Sequence, residues 1–269
     1  MKIKKPLQLI FTLSIFFFIS CEKEASNNNT LKTKDRIVLN DSQILYHYYA
    51  YYSVDDVGNE MLWEECNYEY DNQNRISKMT QFYYDPSGII SDTNIYKYSY
   101  IGNRVIKNTY DNNNINFART VYLLNSENLA IIDSSFSKGW YPSPQFFNEQ
   151  NTDYENKKMS RTYSKDSPIE TLFSWENGNV KVIKEFRNGT LKKSDTIGIY
   201  SNLVNKNYRG DFFLNGRKSR NWYSIMNNQY PKAEYHVYKT DANGFVLEDL
   251  TIFEDIYGKI LRKQKEVYK

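Results

Sequence analysis

Two histidines (His47 and His236), two cysteines (Cys21 and Cys66) and three adjacent acidic pairs (Asp55-Asp56, Glu64-Glu65 and Glu254-Asp255) are the side chains of this 269-residue chain that invite a chemical reading. A metal site needs further ligands at a short, regular spacing, and neither histidine has one; each lies in a tyrosine-rich run and reads as a packed or solvent-edge residue. A glycosidase pair needs two carboxyl groups about 5–9.5 Å apart across a cleft. Neighbours on a strand point to opposite faces, so none of the three acidic pairs meets that need by itself. A reactive thiolate needs a cationic neighbour, and no histidine is close to Cys66 in sequence, so it reads as a buried, inert thiol. No glycine-rich phosphate loop and no nucleophile motif occurs. The expectation is a chain with no catalytic residues, no metal and no cofactor. Arg209-Gly210-Asp211 spells a tripeptide known from adhesive ligands, but three residues recur by chance. Arg217, Lys218 and Arg220 read as a solvated basic face, with anionic headgroups as a possible contact worth about 1 kcal/mol per residue.

The elements that would position these groups are strands. Residues 68–79 form the type unit: Cys66, Tyr68 and Tyr70 alternate with polar residues, Asp71 to Asn74 reverse the chain, and Ile76 opens the return strand. Similar units span residues 98–106, 173–182 and 238–247. Turn signals recur at Asp55 to Asn59, Asp85-Pro86-Ser87-Gly88, Gly102-Asn103, Asp111 to Asn114, Asn125 to Asn128, Glu176 to Asn179, Asn188-Gly189, Asn215-Gly216, Asp241 to Gly244 and Tyr257-Gly258. Aromatic residues are abundant, with 25 Tyr, 15 Phe and 4 Trp, and such residues suit a pleated, partly buried surface. Two stretches break the rhythm and read as long loops, 139–170 and 201–232.

The N-terminus carries a different message. Lys2, Lys4 and Lys5 precede an apolar run over residues 7–19, too short for the roughly 20 residues that span a bilayer, so 1–20 reads as a cleaved signal segment. Phe18-Ile19-Ser20-Cys21 resembles the lipobox of bacterial lipoproteins, which implies lipidation at Cys21 and a membrane partner held through that anchor. Residues 21–36 are polar and read as a flexible tether, and Glu22-Lys23-Glu24 resembles the acidic export tag of Bacteroidota surface lipoproteins. The chain's 35 basic residues, less the three in the leader, balance its 32 acidic ones, which argues against a nucleic-acid partner. With Cys21 used for the anchor, Cys66 has no disulfide partner.

Residues 37–269 therefore read as one all-β domain. More strands are present than an open sheet usually holds flat, so the expectation is an antiparallel meander of a dozen or more strands curling into an open or partly closed barrel-like sheet, with a β-sandwich as the alternative. A membrane barrel is disfavoured because Lys, Glu and Asn occur on both strand faces. The hairpins, with Tyr70-Asp71 and Tyr110-Asp111 as literal dipeptides, resemble YD-type repeats and more particularly uncharacterised Bacteroidota lipoproteins described as porin-like. That resemblance implies a lipid-anchored outer-membrane protein, surface-exposed in some cases. The leading reading is a non-catalytic binding or structural module that meets a glycan or envelope protein through Trp140, Tyr141, Phe146 and Phe147. A surface polysaccharide or peptide hydrolase, and an accessory subunit of an outer-membrane assembly or uptake system, are the alternatives.

Overall fold

The computed structural model describes residues 38–40, 43–137, 145–196, 199–227, 233–255 and 257–269, all within one compact unit, Asp35–Lys269. The leader, Cys21 and the tether lie outside the described residues. Short strands β1 (Val38–Asn40) and β2 (Gln43–Leu45) lead into the meander, which runs through β3 (Tyr48–Val54), β4 (Glu60–Tyr70), β5 (Ile76–Tyr84), β6 (Ile90–Ile101), β7 (Arg104–Tyr110) and β8 (Asn116–Leu124). It continues with β9 (Ala130–Ser137), β10 (Gln145–Glu155), β11 (Lys158–Tyr163), β12 (Ile169–Glu176), β13 (Asn179–Arg187), β14 (Thr190–Thr196) and β15 (Ile199–Val204). After a two-residue strand β16 (Asn207–Tyr208) and a 3-10 helix η1 (Phe212–Arg217), the chain closes with β17 (Asn221–Asn227), β18 (Ala233–Thr240), β19 (Val246–Glu254) and β20 (Ile260–Tyr268).

Consecutive strands pair antiparallel, and the last meets the first, with Lys265 opposite Tyr52 and Tyr268 opposite Tyr49. The result is the curled, barrel-like wall expected from the sequence rather than a sandwich. Alternation of direction has one exception: counted from either side, β14 and β15 run the same way, and the ladder passes from β13 beside β14 to β17 beside β15. The β15–β17 ladder is also irregular at two points, so this seam is the least uniform part of the wall.

One turn is used again and again. At Asp55, Asp71, Asp85, Asp111, Asn125, Asp241 and Asp255 the side-chain Oδ1 accepts from the backbone N–H groups two and four residues later. The third residue on has positive φ, and it is Gly or Asn each time, the two types that adopt that conformation most readily. Beside these turns the strand register slips by one residue, as between Glu69 and Tyr70 or Thr109 and Tyr110. Such bulges sharpen twist and bend, so the same device that reverses the chain also curls the sheet.

Strand polarity sorts the turns between two ends. The turns starting at Asp55, Asp85, Asp111 and Asp255 share one end, and those starting at Asp71, Asn125 and Asp241 share the other. The segment between β15 and β17 leaves and rejoins the wall at the second end and crosses it as a stopper. The 201–232 stretch, read as a loop, is thus largely built structure: the end of β15, β16, η1 and β17. The 139–170 stretch likewise carries the hairpin β10–β11.

The stopper is fastened to hairpin after hairpin. Gly210 C=O accepts from Ile76 N–H (3.1 Å), the Asn207 side-chain amide pairs with both backbone groups of Val246 (2.9 Å each), and Arg220 N–H donates to Gly178 C=O (3.0 Å). Lys158 Nζ donates to Lys218 C=O at 2.8 Å. Phe213 is 1% exposed and packs on Val105, Tyr122, Leu124 and Ala130, while Phe212 stacks on Tyr100. A second cluster joins Tyr46, Cys66, Tyr68, Ile76, Phe245 and Tyr268. Three tyrosine hydroxyls reinforce this end by donating to the carbonyl 24 residues earlier: Tyr70 to Tyr46, Tyr100 to Ile76 and Tyr154 to Ala130. Tyrosine fits this role because one ring buries apolar area while its hydroxyl satisfies a carbonyl.

Candidate functional site in the lumen

Strand alternation gives the wall an inner row of polar groups next to the stopper. Register sets His236 of β18 opposite Thr251 of β19, which faces Gln264 of β20; one step along, Tyr238 faces Asp249 and Asp249 faces Glu266. With Glu234, these side chains line a cavity of about 420 Å³ whose other side is Trp222, Asn221, Asn205, Ser219, Arg217 and Lys218.

His236 is the centre of the acidic wall. Its Nδ1 lies 3.0 Å from Asp249 Oδ2 and its Nε2 lies 3.2 Å from Glu234 Oε1. Burial opposes charging of the ring, but the hydrogen bonds and charges of Asp249 and Glu234 outweigh it and raise its pKa to about 9. His236 is thus an imidazolium at neutral pH, its ring parallel to that of Tyr238 at 5.8 Å. Burial raises the Glu266 pKa, against a hydrogen bond donated by Tyr268.

Aromatic side chains line the same space. Trp222 packs against Tyr238 and Tyr268 at 5.4 and 5.9 Å between centroids. Two residues of the lining, Trp222 and Asn205, each keep one polar atom, Nε1 and Oδ1, buried in the wall without a hydrogen-bond partner. Leaving such groups unmade costs about 1–3 kcal/mol each, a cost the fold carries at this wall.

The stopper supplies the opposite charge. Arg217 is held by Asp133 (3.0 Å) and Thr152 Oγ1 (2.9 Å). Lys218 donates to Asn207 C=O, and burial lowers its pKa to about 8. No carboxylate among the described residues lies within ion-pair distance of Lys218.

The residues singled out from the sequence fare differently. Cys66 is buried and its thiol is pushed up to about 12 by burial and by Glu64, so the inert reading holds. Glu64 faces the lumen while Glu65 faces the other way and accepts from Tyr84, and Asp55 and Asp255 are turn residues; the adjacent pairs stay apart. Arg209 pairs with Asp211 at 2.7 Å, and a Cβ on Gly210 would sit 2.8 Å from Ile76 N, so the tripeptide is part of the stopper rather than a presented loop. The solvated-face reading of the basic patch is corrected: Arg220 is exposed, but Arg217 and Lys218 point into the lumen, drawn there by Asp133 and by the Asn207 carbonyl. His47 packs on Tyr70, as the packed reading expects. Of the packed and solvent-edge readings of His236, the packed one holds, with the carboxylates of Glu234 and Asp249 enclosing the ring. Trp140 and Tyr141 lie outside the described residues, as do the side chains of Phe146 and Phe147, whose backbone belongs to β10. Sequence reasoning missed the His236 group because its partners lie on the next strands; the available signal was polar residues, Glu234, His236, Asp249 and Thr251, on what should be a packed aromatic face. Among the described residues no group of three or more His, Cys, Asp or Glu is arranged to hold a metal ion.

No family model matches the chain, and no curated protein does. Among solved structures it is similar to a porin-like protein from Bacteroides uniformis, with 12% identity and a TM-score of 0.60 over 83% of this chain and 97% of that one. A porin-like protein from Bacteroides vulgatus aligns over 84% of this chain and 98% of that one at 12% identity, with a TM-score of 0.32. What the chain shares with the first of these is its fold, the porin-like curled antiparallel sheet.

Proposed function

We propose that this protein is a cell-envelope binding module, anchored in the outer membrane through a lipidated Cys21, that holds a small hydroxyl-rich ligand of glycan type in its stoppered lumen. The observation that carries the reading is the cavity beside Trp222. It combines the aromatic side chains of Trp222 and Tyr238 with convergent polar ones, Glu234, Asp249, Asn221 and Gln264 among them, which is the pairing that sugar rings and hydroxyls satisfy. The lipobox-like Phe18-Ile19-Ser20-Cys21 supports the anchor. Outward charges support a wall that faces water: the ion pairs Lys78–Glu69 and Lys239–Glu248 lie on outer strand faces where a lipid-facing band would be apolar.

Titration calorimetry with mono- and disaccharides tests the binding role. The expected result is saturable heat that disappears in a folded Trp222→Ala variant; equal binding by that variant overturns the site. Fractionation tests the anchor. Cys21→Ala is expected to move the protein from the membrane pellet to the soluble fraction, and a soluble, unacylated wild type overturns the placement.

A hydrolase is the second reading, because His236 and carboxylates do converge in one concave site. Its geometry favours structure over catalysis. A histidine whose two ring nitrogens both face carboxylates is held protonated and has no lone pair for use as a base. Release of reducing sugar from envelope polysaccharide, abolished in Asp249→Asn, would restore the catalytic reading.

A further inference from the structure

The walls of the lumenal cavity differ in charge in a way that a neutral sugar does not use. On the β18–β20 side stand Glu234, Asp249 and Glu266 around a single imidazolium, so this wall holds an excess of negative charge. On the stopper side, Arg217 is neutralised by Asp133, while Lys218 has no carboxylate within ion-pair distance among the described residues, and Asp211, itself paired with Arg209, acts on it only from farther away. No ion pair between the described residues spans the cavity from one wall to the other. Lys218 and the acidic residues line the same space of about 420 Å³, large enough for a sugar-sized body. A buried ammonium and a buried carboxylate cluster each gain from an opposite charge brought in by a ligand, because low polarity strengthens such contacts.

We propose that the ligand is a zwitterionic saccharide, its amine received by Asp249 and Glu234 and its acid group by Lys218, with the ring lying against Trp222 and Tyr238. The inference rests on the lumenal binding role proposed above and narrows it to one chemical class. Nothing about it requires bond-making; it is a statement of complementarity. It also gives a role to the lysine of the stopper, where burial lowers its pKa to about 8 and a neutral side chain of equal length would sit at lower cost.

The test is a two-by-two set of probes measured by calorimetry on the intact protein: glucosamine 6-phosphate, N-acetylglucosamine 6-phosphate, glucosamine and glucose. Capping the amine and deleting the phosphate are each expected to weaken binding about tenfold, the equivalent of one charge-assisted contact. Lys218→Met keeps the stem and removes the charge; it should abolish the preference for phosphate and leave the preference for the free amine. Glu234→Gln should do the converse. Glucose binding as tightly as glucosamine 6-phosphate overturns the inference and leaves the lumenal binding role standing. No heat with any of the four overturns both. Inorganic phosphate alone binding as tightly as the zwitterion also overturns it, since the amine would then contribute nothing.

Discussion

The two ends of this barrel-like sheet are made from the same turn yet live in different surroundings. At the stoppered end an apolar residue four positions after the turn Asx is buried, with Leu129 5% and Phe245 0% exposed, while Arg75 in that position is half-buried; at the other end the apolar counterparts Ile89 and Ile115 are 65% and 60% exposed. Backbone, side-chain cap and positive-φ residue are alike, so local sequence does not set burial here. The stopper does. It converts one ring of hairpins into a core and a binding wall and leaves the opposite ring as a fringe of solvent-exposed aliphatic residues.

Breaking the stopper is the strongest test of that contrast. Phe213→Ala removes the ring that fills the Val105, Tyr122, Leu124 and Ala130 pocket and should cost about 3–5 kcal/mol in denaturant unfolding. A cost below ~1 kcal/mol would mean that the wall stands without its stopper. Next comes a matched pair. Leu129→Ala should cost about 2–4 kcal/mol and Ile115→Ala no more than ~0.5 kcal/mol, although both occupy one turn position. Equal costs would erase the distinction between the ends.

The lumen adds a pH signature. His236 has a folded pKa raised to about 9 against an ordinary 6.5, so its contribution is complete below pH 6.5 and is lost as pH rises toward 9. The full loss is about 3 kcal/mol. Lys218 acts in the opposite sense: its pKa is lowered to about 8, and its destabilising charge is relieved above that pH. The His236 slope is therefore cleanest between pH 6.5 and 8. His236→Gln should flatten stability over this window in chemical denaturation, and an unchanged slope would place the titration elsewhere. The smallest effect belongs to a single cap: Asn125→Ala deletes two side-chain bonds and should cost about 1 kcal/mol, with the wall otherwise unaltered by circular dichroism.

Much of the wall was legible in the sequence because its information is local. Asp71 to Asn74 and Asp241 to Gly244 announce their turns by residue type, and the alternation of Cys66, Tyr68 and Tyr70 announces which face is buried. The stopper was not legible. Phe212-Phe213-Leu214 is an apolar run with no periodicity long enough to assign, and its partners Val105 and Ala130 lie far away in the chain. The site shares that difficulty: His236 gains its meaning from Asp249 and Glu266, which strand register, not sequence spacing, brings to it. The turn-bound acids Asp55 and Asp255 looked as informative as Asp249, because a strand's composition does not reveal which side of the wall will be the inside.

The ladder between β20 and β3 carries one more consequence, for the order of events during synthesis and folding. Each hairpin closes over a few tens of residues, but the contact of Lys265 with Glu60 joins positions 205 residues apart. Contacts of such separation form slowly, because the intervening chain must first be organised. Until the last strand is made, the tyrosine-rich first strand waits with one edge unpaired, a template for pairing with another chain. The C-terminal strand is therefore the step that ends this exposure, and a chain shortened by its last nine residues should collect as dimers and larger aggregates rather than as a slightly smaller barrel.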